Sequence, residues 1–117
     1  MVRRFQEHTG GVPSVVASAP GRINLIGEHV DYQEGLVLPA AIDRHVVVAA
    51  REIKDPEVRL WSLSKESPVV IPLGQDQALD GSDSWANYVF GVVAVYREAG
   101  HAAPGFEALF DSTIPKT

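Results

Sequence analysis

The chain contains no cysteine, which excludes disulfides and thiolate metal sites and favours a reducing compartment. Its four histidines show no paired ligand spacing, so a zinc site is not expected: they are His8, His29, His45 and His101. The sequence has no Gly-x-Gly-x-x-Gly or Walker-type loop either. We therefore expect no metal site in this chain and none of the common nucleotide-binding loops.

Long apolar runs and basic clusters are equally scarce. The longest aliphatic run, residues 46–50, is far shorter than the roughly 20 residues that span a bilayer. Arg3-Arg4 is the densest basic spot in a chain of net charge −5, and a solvated terminus explains it. The positive charge near Met1 is not followed by the apolar stretch of a secretory signal. We predict a cytoplasmic protein with no membrane partner and no nucleic-acid partner.

The composition that remains is that of one ordinary globular domain, with 45% hydrophobic and 21% charged residues among 117. Valine-rich or alternating stretches predict strands at 15–17, 45–53, 57–63, 68–73 and 106–110. Lys54-Asp55-Pro56 predicts a hairpin between the second and third of these strands, and Pro20-Gly21 predicts a turn.

A helix is predicted over residues 85–99. Apolar side chains recur there at helical spacing and predict one apolar face: Trp85, Tyr88, Val89, Val92, Val93 and Tyr96. Ser82, Asp83 or Ser84 could cap its start, and Gly100 its end. One helix among mixed or antiparallel strands predicts an α+β fold.

Residues 19–32, Ala-Pro-Gly-Arg-Ile-Asn-Leu-Ile-Gly-Glu-His-Val-Asp-Tyr, hold the densest group of chemically useful side chains. Glu28 and Asp31 could each accept hydrogen bonds from a different part of a sugar ring. Arg22 could stabilise negative charge on a phosphate or on a catalytic carboxylate. Composition alone favours a solvated surface loop without a role. The choice between such a loop and a binding site therefore depends on the residue pattern as a whole.

That pattern resembles the galactokinase signature, Gly-Arg-x-Asn-Leu-Ile-Gly-Glu-His-x-Asp-Tyr, at every specified position. The similarity continues through residues 35–42 and returns at Trp-Ala-Asn-Tyr-Val, residues 85–89, whereas residues 51–84 are only loosely similar. The resemblance implies the ribosomal-protein-like N-terminal fold of the superfamily that also contains homoserine, mevalonate and phosphomevalonate kinases. Mevalonate kinases lack the Asp-Tyr found here, which favours a hexose substrate.

The resemblance implies a role for each matched residue. Glu28, His29 and Asp31 match the positions that bind galactose, with Asp31 on ring hydroxyls including the axial one and Glu28 on the exocyclic hydroxyl. Arg22 matches the arginine that stabilises the transition state. We assign Tyr32 to packing within the loop.

Three further residues match positions near the nucleotide. Trp85 and Tyr88 match aromatic residues beside the adenine, and Ser62 matches a strand residue that touches the nucleotide. Core packing would explain the two aromatics equally well, and Ser62 would also fit as an ordinary strand serine.

The reaction implied is transfer of the γ-phosphate of ATP, with Mg²⁺, to the anomeric hydroxyl of D-galactose, giving galactose 1-phosphate and ADP. The family's ATP phosphate-binding motif would begin at Pro115-Lys116-Thr117. We therefore interpret residues 1–117 as an N-terminal galactose-binding portion that is truncated before that motif. We expect the Mg²⁺ ligands to lie beyond it, and we expect this portion to be inactive alone. Three alternatives stay open: a sister kinase for N-acetylgalactosamine or arabinose, a non-catalytic galactose sensor, and a remnant without function.

Overall fold

A computed structural model describes residues 1–75 and 77–115, with Asp31 described for its backbone alone. The α-helices are α1 (Val2–Thr9) and α2 (Asn87–Glu98), and the strands are β1 (Val15–Ile26), β2 (Leu38–Ile53), β3 (Glu57–Ser62), β4 (Val69–Pro72) and β5 (Gly105–Ser112). Short 3-10 segments cover Asp31–Gln33 and Gly81–Ala86. The predicted α+β class is confirmed. Lys116 and Thr117, which would continue the expected phosphate-binding motif, lie outside the described residues.

The five strands form one mixed sheet in the order β1-β2-β5-β3-β4. All neighbours are antiparallel except β3 and β5, which are parallel. The predicted hairpin between residues 45–53 and 57–63 is therefore wrong, because β5 lies between those two strands. β5 takes the central place because it carries buried residues on both of its faces, Ala108 on one and Leu109 on the other. The local Lys-Asp-Pro signal carries no information about a strand fifty residues later.

Each face of the sheet is covered by one helix. On one face, α2 packs over a core formed by Val58, Leu60, Val69, Ile71, Ala86 and Ala108. On the other face, α1 inserts Phe5, which is fully buried with Ala49 and Leu109. Burial of a phenylalanine side chain stabilises a fold by about 1.5–3 kcal/mol. Arg3 and Arg4 are exposed, as predicted for a solvated terminus, but Phe5 anchors a short helix there that we did not predict.

The predicted helix is present but begins later than expected. A 3-10 segment that contains Trp85 precedes α2, and none of the candidate serine or aspartate caps bonds to the first turn of α2. At the other end, Gly100 adopts a left-handed conformation with φ 86°, as predicted.

The apolar residues of α2 are divided between two sides of the helix. Val89 and Phe90 pack against the sheet. Tyr88, Val92 and Tyr96, which belong to the same predicted apolar face, are exposed. Only part of the predicted apolar face is therefore buried, because α2 has apolar side chains facing both inward and outward.

β1 and β2 extend beyond the rest of the sheet. β5 pairs with β2 over residues 46–53, so residues 38–45 pair with β1 alone and form a two-stranded arm. The predicted turn at Pro20-Gly21 is a register shift inside β1, which continues to Ile26. At this shift a Cβ on Gly21 would lie 3.1 Å from side-chain carbons of both Ile42 and Ile114, so glycine permits close packing there. Three hydrogen bonds between His45 and Thr113 hold the base of the arm to the end of β5.

The centre of the sheet contains an ion pair whose carboxylate is buried and whose arginine is partly exposed. Glu107 of β5 is 2% exposed and accepts a hydrogen bond from the guanidinium of Arg51, its partner on β2. The guanidinium lies against the backbone of Gly11, where an added Cβ would come within 1.5 Å of it. Arg51 itself remains one-third exposed. Loss of the arginine would therefore remove the cation that faces this buried carboxylate.

We expect Arg51→Met to lower the free energy of unfolding by about 3–5 kcal/mol at neutral pH, because it leaves the buried Glu107 carboxylate without its cation. Glu107→Gln should cost less, about 1–3 kcal/mol, because the amide still accepts a hydrogen bond and Arg51 can be hydrated. Urea denaturation of the purified chain measures both. Arg44→Met, at an exposed arginine, is the control and should stay within about 0.5 kcal/mol of the parent. Equal losses for the two arginine variants would contradict this account.

Candidate functional site

The second half of the signature, residues 27–32, lies at the tip of the β1–β2 arm in the loop of residues 27–37, and its first half, residues 21–26, lies on β1. Gly27 has φ 91°, and a Cβ there would lie 2.6 Å from the carbonyl oxygen of Leu36. Gly35 has a similar constraint, because its Cβ would lie 2.8 Å from the carbonyl oxygen of Val30. The two glycines allow opposite sides of the loop to approach each other. The loop is therefore folded against itself.

A one-turn 3-10 segment, Asp31–Gln33, forms the middle of the loop. The carbonyl oxygen of Val30 accepts hydrogen bonds from the backbone amides of Gln33 (3.1 Å) and Gly35 (2.8 Å). These bonds fix the backbone on both sides of Asp31. The side chain of Asp31 lies outside the described structure, so its role rests on the sequence.

Two residues of the loop adopt a left-handed backbone conformation although they are not glycine: His29 with φ 57° and Glu34 with φ 58°. Such a conformation costs a residue with a side chain roughly 1–2 kcal/mol. Backbone strain of this kind clusters at functional sites. The ring of His29 meets that of Tyr32 edge-on, with centroids 6.3 Å apart. Tyr32 is 69% exposed, and this ring contact lies within the loop.

Arg22, Glu28 and His29 all have exposed side chains. Within the described part of the chain, none of the three forms a hydrogen bond or ion pair with another side chain. Arg22 and Asn24 share one face of β1, because alternate residues of a strand point the same way. The loop thus presents a carboxylate and an imidazole to solvent on a constrained backbone, and the strand before it presents a cation. This arrangement is suited to a small polyhydroxylated ligand.

The predicted nucleotide residues Ser62 and Trp85 both lie beside Phe110. The Trp85 ring meets the Phe110 ring edge-on at 6.3 Å and packs against the core. Ser62 ends β3, lines a small pocket with Phe110 and shares a hydrogen bond of 2.9 Å with the hydroxyl of Ser64. Trp85 therefore has a packing role whether or not it also touches a nucleotide.

Tyr88 is placed differently from Trp85. Its side chain is 85% exposed on the outer side of α2, so the core packing that we considered for it is wrong. The structure brings Ser62 and Trp85 together and leaves Tyr88 facing away from the sheet.

The strand directions place the signature loop and the predicted nucleotide residues Ser62 and Trp85 toward the same end of the sheet. β5 is antiparallel to β2, so its C-terminal end lies toward the arm. β3 is parallel to β5, so Ser62 lies at that end as well. Thr113 and Ile114, which follow β5, contact the base of the arm. The signature loop, Ser62 and Trp85 are thus arranged around one end of the molecule.

The sequence analysis assigned no role to Asn87. Its side-chain oxygen accepts a hydrogen bond from the Leu79 amide and its side-chain nitrogen donates one to the Leu79 carbonyl, both at 2.8 Å. These bonds hold the preceding connection against the start of α2 and so help to position Trp85. An asparagine at the first residue of a helix is the signal that could have suggested this.

Across residues 1–75 and 77–115, no group of three or more His, Asp or Glu side chains is arranged to hold a metal ion. The helices of that part are also too short, or too polar, to cross a membrane.

The loop geometry makes Gly27→Ala a sharp test. We expect the exchange rates of the Gln33 and Gly35 amides to rise at least tenfold, because the new Cβ collides with the Leu36 carbonyl. Gly100→Ala is the matched control, since it has a similar φ of 86° but open space around the added Cβ. Hydrogen exchange followed by NMR measures both variants. Loop amides that stay protected in Gly27→Ala would show that the close approach is not required.

Comparison with known proteins gives a consistent result. A family model for the galactokinase galactose-binding signature matches residues 3–52. The galactokinase of Roseiflexus sp. (strain RS-1) is 43% identical over 113 residues, which is 97% of this chain and 28% of that protein. The galactokinase of Homo sapiens is 41% identical over 97% of this chain and 30% of its own length.

Solved structures agree with the sequence relatives. The crystal structure of Lactococcus lactis galactokinase complexed with galactose matches with a TM-score of 0.83 and 37% identity, covering 98% of this chain and 30% of that one. The mevalonate kinase of Methanococcus jannaschii, at 17% identity and a TM-score of 0.64, shares the fold. The chain spans about 30% of the length of the galactokinases that it matches. The chain is thus similar to galactokinases over nearly its whole length, and residues 3–52 match their galactose-binding signature.

Proposed function

We propose that residues 1–117 form the galactose-binding portion of a kinase that transfers the γ-phosphate of ATP to the anomeric hydroxyl of D-galactose. The observation that carries the proposal is the signature loop. Its backbone is strained and tightly folded, yet Arg22, Glu28 and His29 remain exposed and form no bond with another described side chain. A loop with this architecture is organised to present side chains to a ligand.

The sugar contacts follow from the chemistry of these groups. Carboxylates accept hydrogen bonds from hydroxyls, and bonds to a charged acceptor are stronger than neutral ones. We assign the exocyclic hydroxyl to Glu28 and the ring hydroxyls to Asp31, including the axial one that separates galactose from glucose. The imidazole of His29 can donate or accept a further bond. The contact with Tyr32 limits the orientations that this ring can adopt.

Arg22 has a different position and a different proposed role. It lies on the strand below the loop, so its charge can reach a group bound beside the sugar. Negative charge shifts among the phosphate oxygens as the phosphoryl group moves, and a fixed cation stabilises that state. Mg²⁺, when bound, neutralises charge on the phosphates, and we expect its ligands outside this chain.

The nucleotide would bind at the same end of the sheet. Ser62 and Trp85 line that end, and Tyr88 lies at the start of α2. We propose ATP as co-substrate, with its phosphates held by polypeptide outside this region, and the cytoplasm as the compartment. On this account the region alone does not turn over galactose, because positioning of both substrates supplies much of the rate.

The test uses a fusion in which this chain replaces the matching region of the Lactococcus lactis galactokinase. We expect Asp31→Ala to raise the KM for galactose by about 10- to 150-fold, the loss of hydrogen bonds to a charged partner, with little change for ATP. Discrimination against glucose should fall as well. Arg22→Ala should instead lower kcat with little change in galactose KM. Steady-state kinetics with each substrate varied in turn separate these effects.

Glu34→Ala is the matched control, since Glu34 is an exposed carboxylate of the same loop without an assigned contact. The 117-residue chain alone serves as the blank. If Asp31→Ala left galactose KM unchanged while Arg22→Ala raised it, the two roles would be reversed. Faster turnover of N-acetylgalactosamine or arabinose would instead assign a sister kinase, and galactose binding without turnover would favour a sensor.

A further inference from the structure

The outer side of α2 is an exposed apolar surface, which we call the outer α2 face. Its side chains are Tyr88, Val92, Val95 and Tyr96, with exposures of 85%, 70%, 65% and 50%. Gly91 and Ala99 lie between them, and His101 stacks on Tyr96 at 4.6 Å at one end. The charged residues Arg97 and Glu98 line a separate cleft against β3 and β4. The outer α2 face is thus a continuous apolar surface without a charged residue.

Gly91 lies in the middle of this face and gives an independent indication. A glycine inside a helix costs about 1 kcal/mol relative to alanine. Apart from Gly91 itself, its two chain neighbours and the adjoining backbone of α2, no described atom lies within 4 Å of the position that a Cβ on Gly91 would occupy. Packing in this chain therefore gives no reason for a glycine there. A notch at the centre of an apolar face is useful when another backbone approaches it closely.

We propose that the outer α2 face is covered by the part of a galactokinase-length polypeptide that this chain does not contain. The relatives are more than three times longer than the region matched, because the chain spans only 28–30% of them. Their additional chain must pack against this region to form one enzyme. An uncharged apolar face with a glycine notch is the kind of surface that such packing buries. The proposal rests on correspondence with the family and is independent of the sugar and phosphate roles proposed above.

The absence of cysteine from the chain makes the proposal directly testable. Val92→Cys is introduced into the 117-residue chain and into its fusion with the remainder of Lactococcus lactis galactokinase. Iodoacetamide labelling of the peptide that contains residue 92 is then followed by mass spectrometry. We expect labelling to be at least tenfold slower in the fusion. Lys65→Cys, in the exposed turn after β3, is the control and should react equally in both proteins.

Gly91→Ala provides a second test, because its effect on Tm should have opposite signs in the 117-residue chain and in the fusion. In the 117-residue chain it should raise Tm by about 3–6 °C, because it removes the helical cost of glycine and meets open space. In the fusion it should lower Tm, because the methyl group would enter the covering segment. Gly74→Ala, where a Cβ also meets open space, should shift both proteins in the same direction.

The outcomes are distinct. Equal labelling of residue 92 in the chain and in a cooperatively unfolding fusion would overturn the proposal, as would stabilisation of the fusion by Gly91→Ala. If protection of residue 92 from iodoacetamide in the 117-residue chain grew with protein concentration, a second copy of the chain would cover the outer α2 face. That result would also overturn the proposal. If the fusion does not unfold cooperatively, a cysteine at the position aligned with Val92 in Lactococcus lactis galactokinase gives the same decision. None of these readouts requires galactose turnover.

Discussion

The fold depends on β5, which runs between two parts of the sheet that the chain builds separately. It pairs with β2 on one side and β3 on the other, and residues of both of its faces are buried under the two helices. The single buried carboxylate among the described residues, Glu107, also lies on β5 and is neutralised by Arg51. Because the segment after β5 contacts the base of the arm, the same strand positions the signature loop relative to the core.

In the arm and its loop, the backbone is held in place while the polar side chains are exposed. Close packing at Gly21 and hydrogen bonds between His45 and Thr113 fix the base of the arm, while Gly27 and Gly35 fix the loop at its tip. The polar side chains of the loop are left in solvent. Such a division suits a binding site, because a ligand then meets groups whose backbone is already ordered and loses less conformational freedom on binding.

Sequence reasoning succeeded where the information is local. The valine-rich strands, the helix near residues 85–99 and its end at Gly100 follow from periodicity and from glycine conformation. It failed where distant segments decide the outcome. Pairing of β2 with β5 displaced the predicted hairpin, and burial of Phe5 created α1 in a segment with polar or charged residues at most other positions. The outward position of Tyr88 and Val92 could not be predicted either, because apolar character does not reveal what covers a helix face. The signature residues were found by their pattern, and the strained backbone that presents them became visible only in three dimensions.

The central claim is that the tip of the arm binds galactose and distinguishes it from glucose. An NMR titration of the isotope-labelled fusion with each sugar tests this most directly. We expect galactose to shift the amide signals of residues 22–37, to leave those of the outer α2 face unchanged, and to act at concentrations at which glucose has little effect. Galactose-induced shifts confined to other parts of the chain, or equal shifts with glucose, would contradict the account.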